Sequence, residues 1–125
     1  MRVFVYYNLH RKLWSVKALE GPNKGRVIDR CASVALTDVV PKVSEAGRQR
    51  VLREKRKNVH AGLVGTLAYA VPSYILTQQR EITYNPYRGP TFFYRSTGDD
   101  FKEARWAMLL SDSYVHEKKP KVYAL

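Results

Sequence analysis

The sequence predicts an α+β fold in which two antiparallel β-meanders flank one central basic helix at about residues 44–58. Three observations lead there. Short runs rich in β-branched and aromatic residues, punctuated by Gly/Pro turns, occupy both ends of the chain. One capped stretch of helical periodicity lies between them. With 125 residues, 45% of them hydrophobic, the chain has enough apolar content for one core, so residues 1–125 are read as a single domain.

Residues 2–7 and Leu13–Leu19 read as strands, the second alternating Leu13, Ser15 and Lys17 against Trp14, Val16 and Ala18. Asn8-Leu9-His10-Arg11-Lys12 joins them as a polar hairpin loop. Gly21-Pro22-Asn23-Lys24-Gly25 is a turn, because proline fixes one φ and glycine permits the positive values that tight turns need. Arg26–Ile28 and Ser33–Leu36 read as two more short strands around a turn or bulge at Asp29-Arg30. Val39, Val40 and Pro41 then lead into the helix.

The helix, Ser44 to His60, opens on a serine that can cap a first-turn N–H, followed by Glu45 at the positive end of the dipole. At 100° per residue Val51, Leu52 and Val59 share one side, while Arg50, Arg53, Arg56 and Lys57 share the other. Six cations against Glu45 and Glu54 leave this segment at +4. Arg48 and Lys55 fall inside the apolar stripe, where their stems pack and their heads snorkel, or where they line an anion pocket.

Gly62 and Gly65 mark residues 60–71 as a buried strand with close backbone approach or as an irregular crossover, and the strand is taken. Tyr74–Arg80 fits either a helical turn or a loop. Glu81–Tyr84 and Thr91–Ser96 form a hairpin across Asn85-Pro86-Tyr87-Arg88-Gly89-Pro90, and a turn follows at 96–100. Ala104–Leu110 suits a short helix by its Ala, Met and Leu content. It is taken as a strand because Ser111-Asp112-Ser113 looks like a hairpin turn into Tyr114-Val115-His116. Val122–Leu125 is an edge strand or a fraying end.

The chain carries 22 Lys plus Arg against 11 Asp plus Glu, a net charge of +11. Such an excess draws a protein toward polyanions: nucleic acid, an acidic protein surface or an anionic membrane. No apolar run is long enough to span a bilayer and the start is too soon polar for a signal peptide, which points away from the membrane. The lone Cys31 fits a reducing compartment and a small buried apolar role.

Aromatic and basic residues interleave in the loops: Tyr6, Tyr7, His10, Arg11, Lys12 and Trp14, then Tyr84, Tyr87, Arg88, Phe92, Phe93, Tyr94 and Arg95. Single-stranded nucleic acid recognition uses that combination, rings for bases and cations for phosphates, although strand aromatics serve the core first. Lys24-Gly25-Arg26 resembles a small anion cradle. The candidate nucleic-acid-binding set is therefore Arg48, Arg50, Arg53, Lys55, Arg56, Lys57, Lys24, Arg26, Arg11, Tyr87 and Arg88. No Walker loop, dinucleotide fingerprint or zinc spacing occurs, and His10, His60 and His116 are scattered, so no catalytic residue, cofactor or metal is assigned. The best enzymatic case, a metal-dependent nuclease, would use Asp99, Asp100, Glu117 and Lys119.

The segment Pro41 to Leu67, PKVSEAGRQRVLREKRKNVHAGLVGTL, with Met1 to His10, Gly25 to Ile28 and Ile82 to Tyr87, resembles a family of small uncharacterised proteins encoded by tailed bacteriophages. The resemblance implies a setting, the host bacterial cytoplasm, and no mechanism. Taken with the charge, it gives the expectation of a non-enzymatic, nucleic-acid-binding accessory protein whose helix meets phosphates and whose hairpin loops stack on bases of DNA or RNA. The alternative is an inhibitor laid on an acidic host or defence protein, and a nuclease comes third.

Overall fold

The computed structural model of the protein describes residues 1–69, 80–111 and 119–125. Strands β1 (Arg2–Asn8), β2 (Leu13–Ala18), β3 (Val27–Cys31) and β4 (Ser33–Val43) precede the helix α1 (Glu45–Glu54). Strands β5 (Ala61–Ala68), β6 (Arg80–Tyr84), β7 (Phe92–Tyr94), β8 (Ala104–Leu110) and β9 (Lys121–Ala124) follow it. All nine belong to one sheet with the order β3-β2-β1-β5-β4-β8-β9-β6-β7, and every pairing is antiparallel.

This corrects the expectation of an α+β chain with two meanders around a central helix. The 11-residue β4 is long enough to pair with β5 on one side and β8 on the other, and β5 inserts between β1 and β4, so the two halves fuse. The helix is an excursion at one end, because among its residues only Val51 is buried and so narrow an apolar stripe cannot make a layer. It also stops at Glu54, where Lys55 turns left-handed at φ 54° and its N–H closes on the Val51 carbonyl at 2.8 Å. Residues 39–41 continue β4, past a bulge at Asp38 (φ 51°), whose carbonyl accepts from Arg2 at 2.7 Å. Pro41 is tolerated because β8 ends its pairing at Val39, leaving one flank of β4 without a neighbouring strand there. Asp29 and Arg30 lie within β3, and the bulge falls beside them at Ile28, the extra residue between the pairs Val16–Asp29 and Lys17–Val27. The last strand, β9, is interior, paired with both β8 and β6.

Period-two alternation sends one face inward: Val3 and Val5, Trp14 and Val16, Val34 and Leu36, Leu63, Ala107 and Leu109, Ile82, Phe92 and Ala124 form one cluster with Phe101. Five sheet steps separate β1 from β6, roughly 24 Å in a flat sheet at ~4.8 Å per strand. Since Val5 and Ile82 nevertheless share one core, the sheet coils round it. Gly62 makes that coiling possible at the β1–β5 seam, where a Cβ would lie 2.3 Å from the Val5 carbonyl oxygen. The expected turns at residues 74–80 and 111–116 fall, apart from Arg80 and Ser111, outside the described residues.

Candidate functional site

The excursion between β4 and β5 is built from local chemistry. Ser44 caps the helix, its hydroxyl accepting from the Gly47 N–H at 3.2 Å, and Glu45 accepts from Gln49 Nε2 and Arg48 Nη1, both at 2.8 Å. The Gln49 amide foremost, with Arg48 adding, holds the Glu45 carboxyl below its ordinary range. The neck closes where the Ser44 N–H donates to the His60 carbonyl at 2.7 Å. Gly47 is required there, because a Cβ would lie 2.5 Å from the His60 Cβ.

His60 joins the excursion to β6. Asn58 donates its amide to the Gly47 carbonyl at 3.4 Å, which turns its Oδ1 toward His60 Nδ1 at 2.9 Å. In the neutral ring Nδ1 therefore carries the proton, and Nε2 accepts from the Tyr84 hydroxyl at 2.7 Å. Burial pushes the Tyr84 phenol above its ordinary pKa, Arg48 opposing and Glu45 adding. The Tyr84 ring packs against His60 and Phe92, with centroids 5.3 and 5.1 Å apart.

Around this pair opens a cleft of about 870 Å³. Its cations are Lys55, Arg56 and Lys57 from the helix exit, Arg95 after β7, and Lys119 and Lys121 at the approach to β9. Among the described residues its one carboxylate, Glu81, bridges Arg95 at 3.1 Å and Lys121 at 3.4 Å. Six cations against one carboxylate leave the described lining residues at +5. Its rings are Tyr7, Tyr84, Tyr87 and Phe93, with His60 beside them. A site so made can take a phosphate chain by charge and a planar group by stacking.

The sequence-derived candidates divide. Lys55, Arg56, Lys57 and Tyr87 line the cleft. Arg50 and Arg53 are exposed along a smaller groove of about 390 Å³ on the helix, so the single stripe drawn through residues 50, 53, 56 and 57 is broken by the left-handed Lys55. Arg48 is largely covered and structural, its side chain only 14% exposed and donating to Glu45 and, at 2.8 Å, to the Pro86 carbonyl. Arg88 lies 3.7 Å from the Phe93 centroid and donates to the Gly98 carbonyl, bracing the β6–β7 hairpin. Arg11 is exposed in the β1–β2 loop next to Leu9, which lines the cleft. Lys24 and Arg26 sit in the β2–β3 turn at the other end of β2, roughly 20 Å away along a six-residue strand at ~3.4 Å per residue.

Of the cations on the far side, sequence reading selects Lys119 alone, and that for the nuclease reading. The interleaved pattern flags Arg95 without choosing it, and nothing flags Lys121 or the His60–Tyr84 bond, which joins residues 24 apart. For the nuclease reading, Asp99 and Asp100 are exposed in the turn after β7 and Lys119 lines the cleft, while Glu117 and His116 lie outside the described residues. Among the described residues no three His, Cys, Asp or Glu side chains gather as metal ligands. Nor is any described helix long and apolar enough to cross a membrane. Cys31 is only partly buried, in edge strand β3.

Comparison with known proteins places this geometry in a lineage. The family model described as Mycobacterium phage L5 gene 82 protein matches residues 1–117. The Gene 82 protein of Mycobacterium phage L5 is 47% identical over 121 residues, covering 92% of this chain and 94% of that relative. No solved structure matches. The chain, with its coiled nine-stranded sheet and basic cleft, therefore belongs to the phage L5 gene 82 protein family.

Proposed function

We propose that this phage protein is a nucleic-acid-binding accessory protein that acts in the cytoplasm of the infected bacterium and holds its ligand without cutting it. The observation that carries the reading is the cleft lining, +5 in net charge over its described residues, in which Lys55, Arg56 and Lys57 have no carboxylate partner among the described residues. Cations concentrated in a concave, partly desolvated surface attract a phosphate backbone more strongly than the same charges scattered over a convex one. The one carboxylate among the described lining residues is engaged by Arg95 and Lys121, which supports binding over general-base chemistry.

A gel-shift series with DNA and RNA oligonucleotides from low to high salt tests it. Binding is expected to fall steeply with salt, with the oligonucleotide recovered intact in the presence of Mg²⁺. Absence of any shift at low salt overturns the reading, as does a tagged pull-down whose host protein partner survives nuclease digestion and is not displaced by oligonucleotide.

A further inference from the structure

We infer that the cleft selects an unpaired strand over a duplex, taking one or two nucleotides with a base stacked on Tyr87 and phosphates among the helix-exit and β9-approach cations. The inference rests on the nucleic-acid reading above and adds to it which form of nucleic acid fits.

The rings carry the argument. A duplex offers its phosphates and the edges of its bases, while the base faces are consumed by stacking on one another. Rings that line a concave site are useful only to bases already splayed out. Four aromatic side chains line this cleft, and they lie beside the cations. Its volume, about 870 Å³, falls within the ~300–1,000 Å³ range of small-ligand pockets, which suits a nucleotide or two.

Tyr87 is the ring placed for stacking. It is 62% exposed, and its ring packs on no other aromatic or cation among the described residues, whereas Tyr7, Tyr84 and Phe93 each have a ring or guanidinium neighbour. The peptide group that precedes it is held at both its N–H and its carbonyl. The Tyr87 N–H donates to Asn85 Oδ1 at 2.9 Å, and the Pro86 carbonyl accepts from Arg48, which Glu45 anchors in turn. Arg48 is thus a positioning residue that fixes the turn displaying Tyr87 from the helix, and an exposed ring on a fixed backbone loses little freedom when a base lands on it.

Fluorescence anisotropy at matched salt, with labelled 15-mers of dT, of U, of abasic backbone and of duplex DNA, separates the possibilities. The single strands, dT or U, are expected to bind at least tenfold tighter than the duplex or abasic chain. Tyr87→Ala should weaken single-strand binding by roughly 5- to 150-fold, the range for one lost base–aromatic stack. It should do so without changing the salt slope, since no charge is removed, while Tyr87→Trp retains binding. Duplex or abasic chain bound as tightly as dT and U, with Tyr87→Ala silent, overturns this inference and leaves nucleic-acid binding standing. Failure of all four probes to bind overturns both.

Discussion

Arg56→Gln with Lys57→Gln removes two cleft cations from exposed positions beyond the helix, where neither side chain is hydrogen bonded among the described residues. Stability should therefore change by no more than about 0.5 kcal/mol. If each cation neutralises one phosphate of a single strand, each contributes about −0.7 to the slope of log K against log salt, so the double variant loses about 1.4 from it. At 0.1 M salt this amounts to 1.4 decades, roughly 25-fold in affinity, and at 0.3 M it shrinks to roughly fivefold. Anisotropy titrations of a labelled hexanucleotide between 0.05 and 0.4 M salt read both quantities. Lys24→Gln with Arg26→Gln, the same loss of charge at the far end of β2, is the control and should leave slope and affinity as they were. Parallel salt plots for wild type and the Arg56/Lys57 variant, or a larger effect from the Lys24/Arg26 pair, would refute the placement of the phosphate path in the cleft.

Three further outcomes test the scaffold. Gly47→Ala would gain about 1 kcal/mol in an isolated helix, but the 2.5 Å approach to the His60 Cβ should reverse the sign and destabilise by about 1 kcal/mol in chemical denaturation; a stabilised variant would contradict the contact. Gly62→Ala forces a methyl against the Val5 carbonyl and should cost about 3 kcal/mol, seen as a lowered denaturation midpoint with loss of amide protection along β1 and β5. Desolvation first, then the Asp29 hydrogen bond and charge, push the Cys31 thiol from 9.0 up to about 11. At pH 8 its thiolate fraction should then be roughly 100-fold below that of an unperturbed thiol, so alkylation is slow, rises with pH up to about 11 and is faster in Asp29→Asn; labelling at the rate of a free thiol would refute the environment assigned to it.

What could be read from the chain is what is local. β1 follows from its β-branched and aromatic residues, β2 from alternation, the hairpin of β6 and β7 from its turn residues, and β5 from Gly62 and Gly65, whose missing side chains signal close neighbours. The sheet order could not be read, because nothing in the periodicity of Ala61–Ala68 says that it will lie between β1 and β4. The helix end was hidden for a related reason. Lys55, Arg56 and Lys57 all tolerate helix, and it is the need to return from Val43 to its partner Ala61 that turns the chain at Lys55. For the site, the helix-exit cations were visible as a charge run. Their counterparts were not, since Arg95 and Lys121 reach the cleft only through the coiling of the sheet.

Val43 and Ala61 already face each other as the last rung of the β4–β5 ladder, so the chain between them leaves the sheet and returns to it without interrupting the strand order. The segment that furnishes three of the six described cations of the cleft is thus an excursion from the scaffold, tied back to it by the buried Val51 and by the Arg48–Pro86 and His60–Tyr84 hydrogen bonds. Exposed cations there, such as Arg56 and Lys57, can be exchanged to alter grip on a ligand while the interior strands keep their packing.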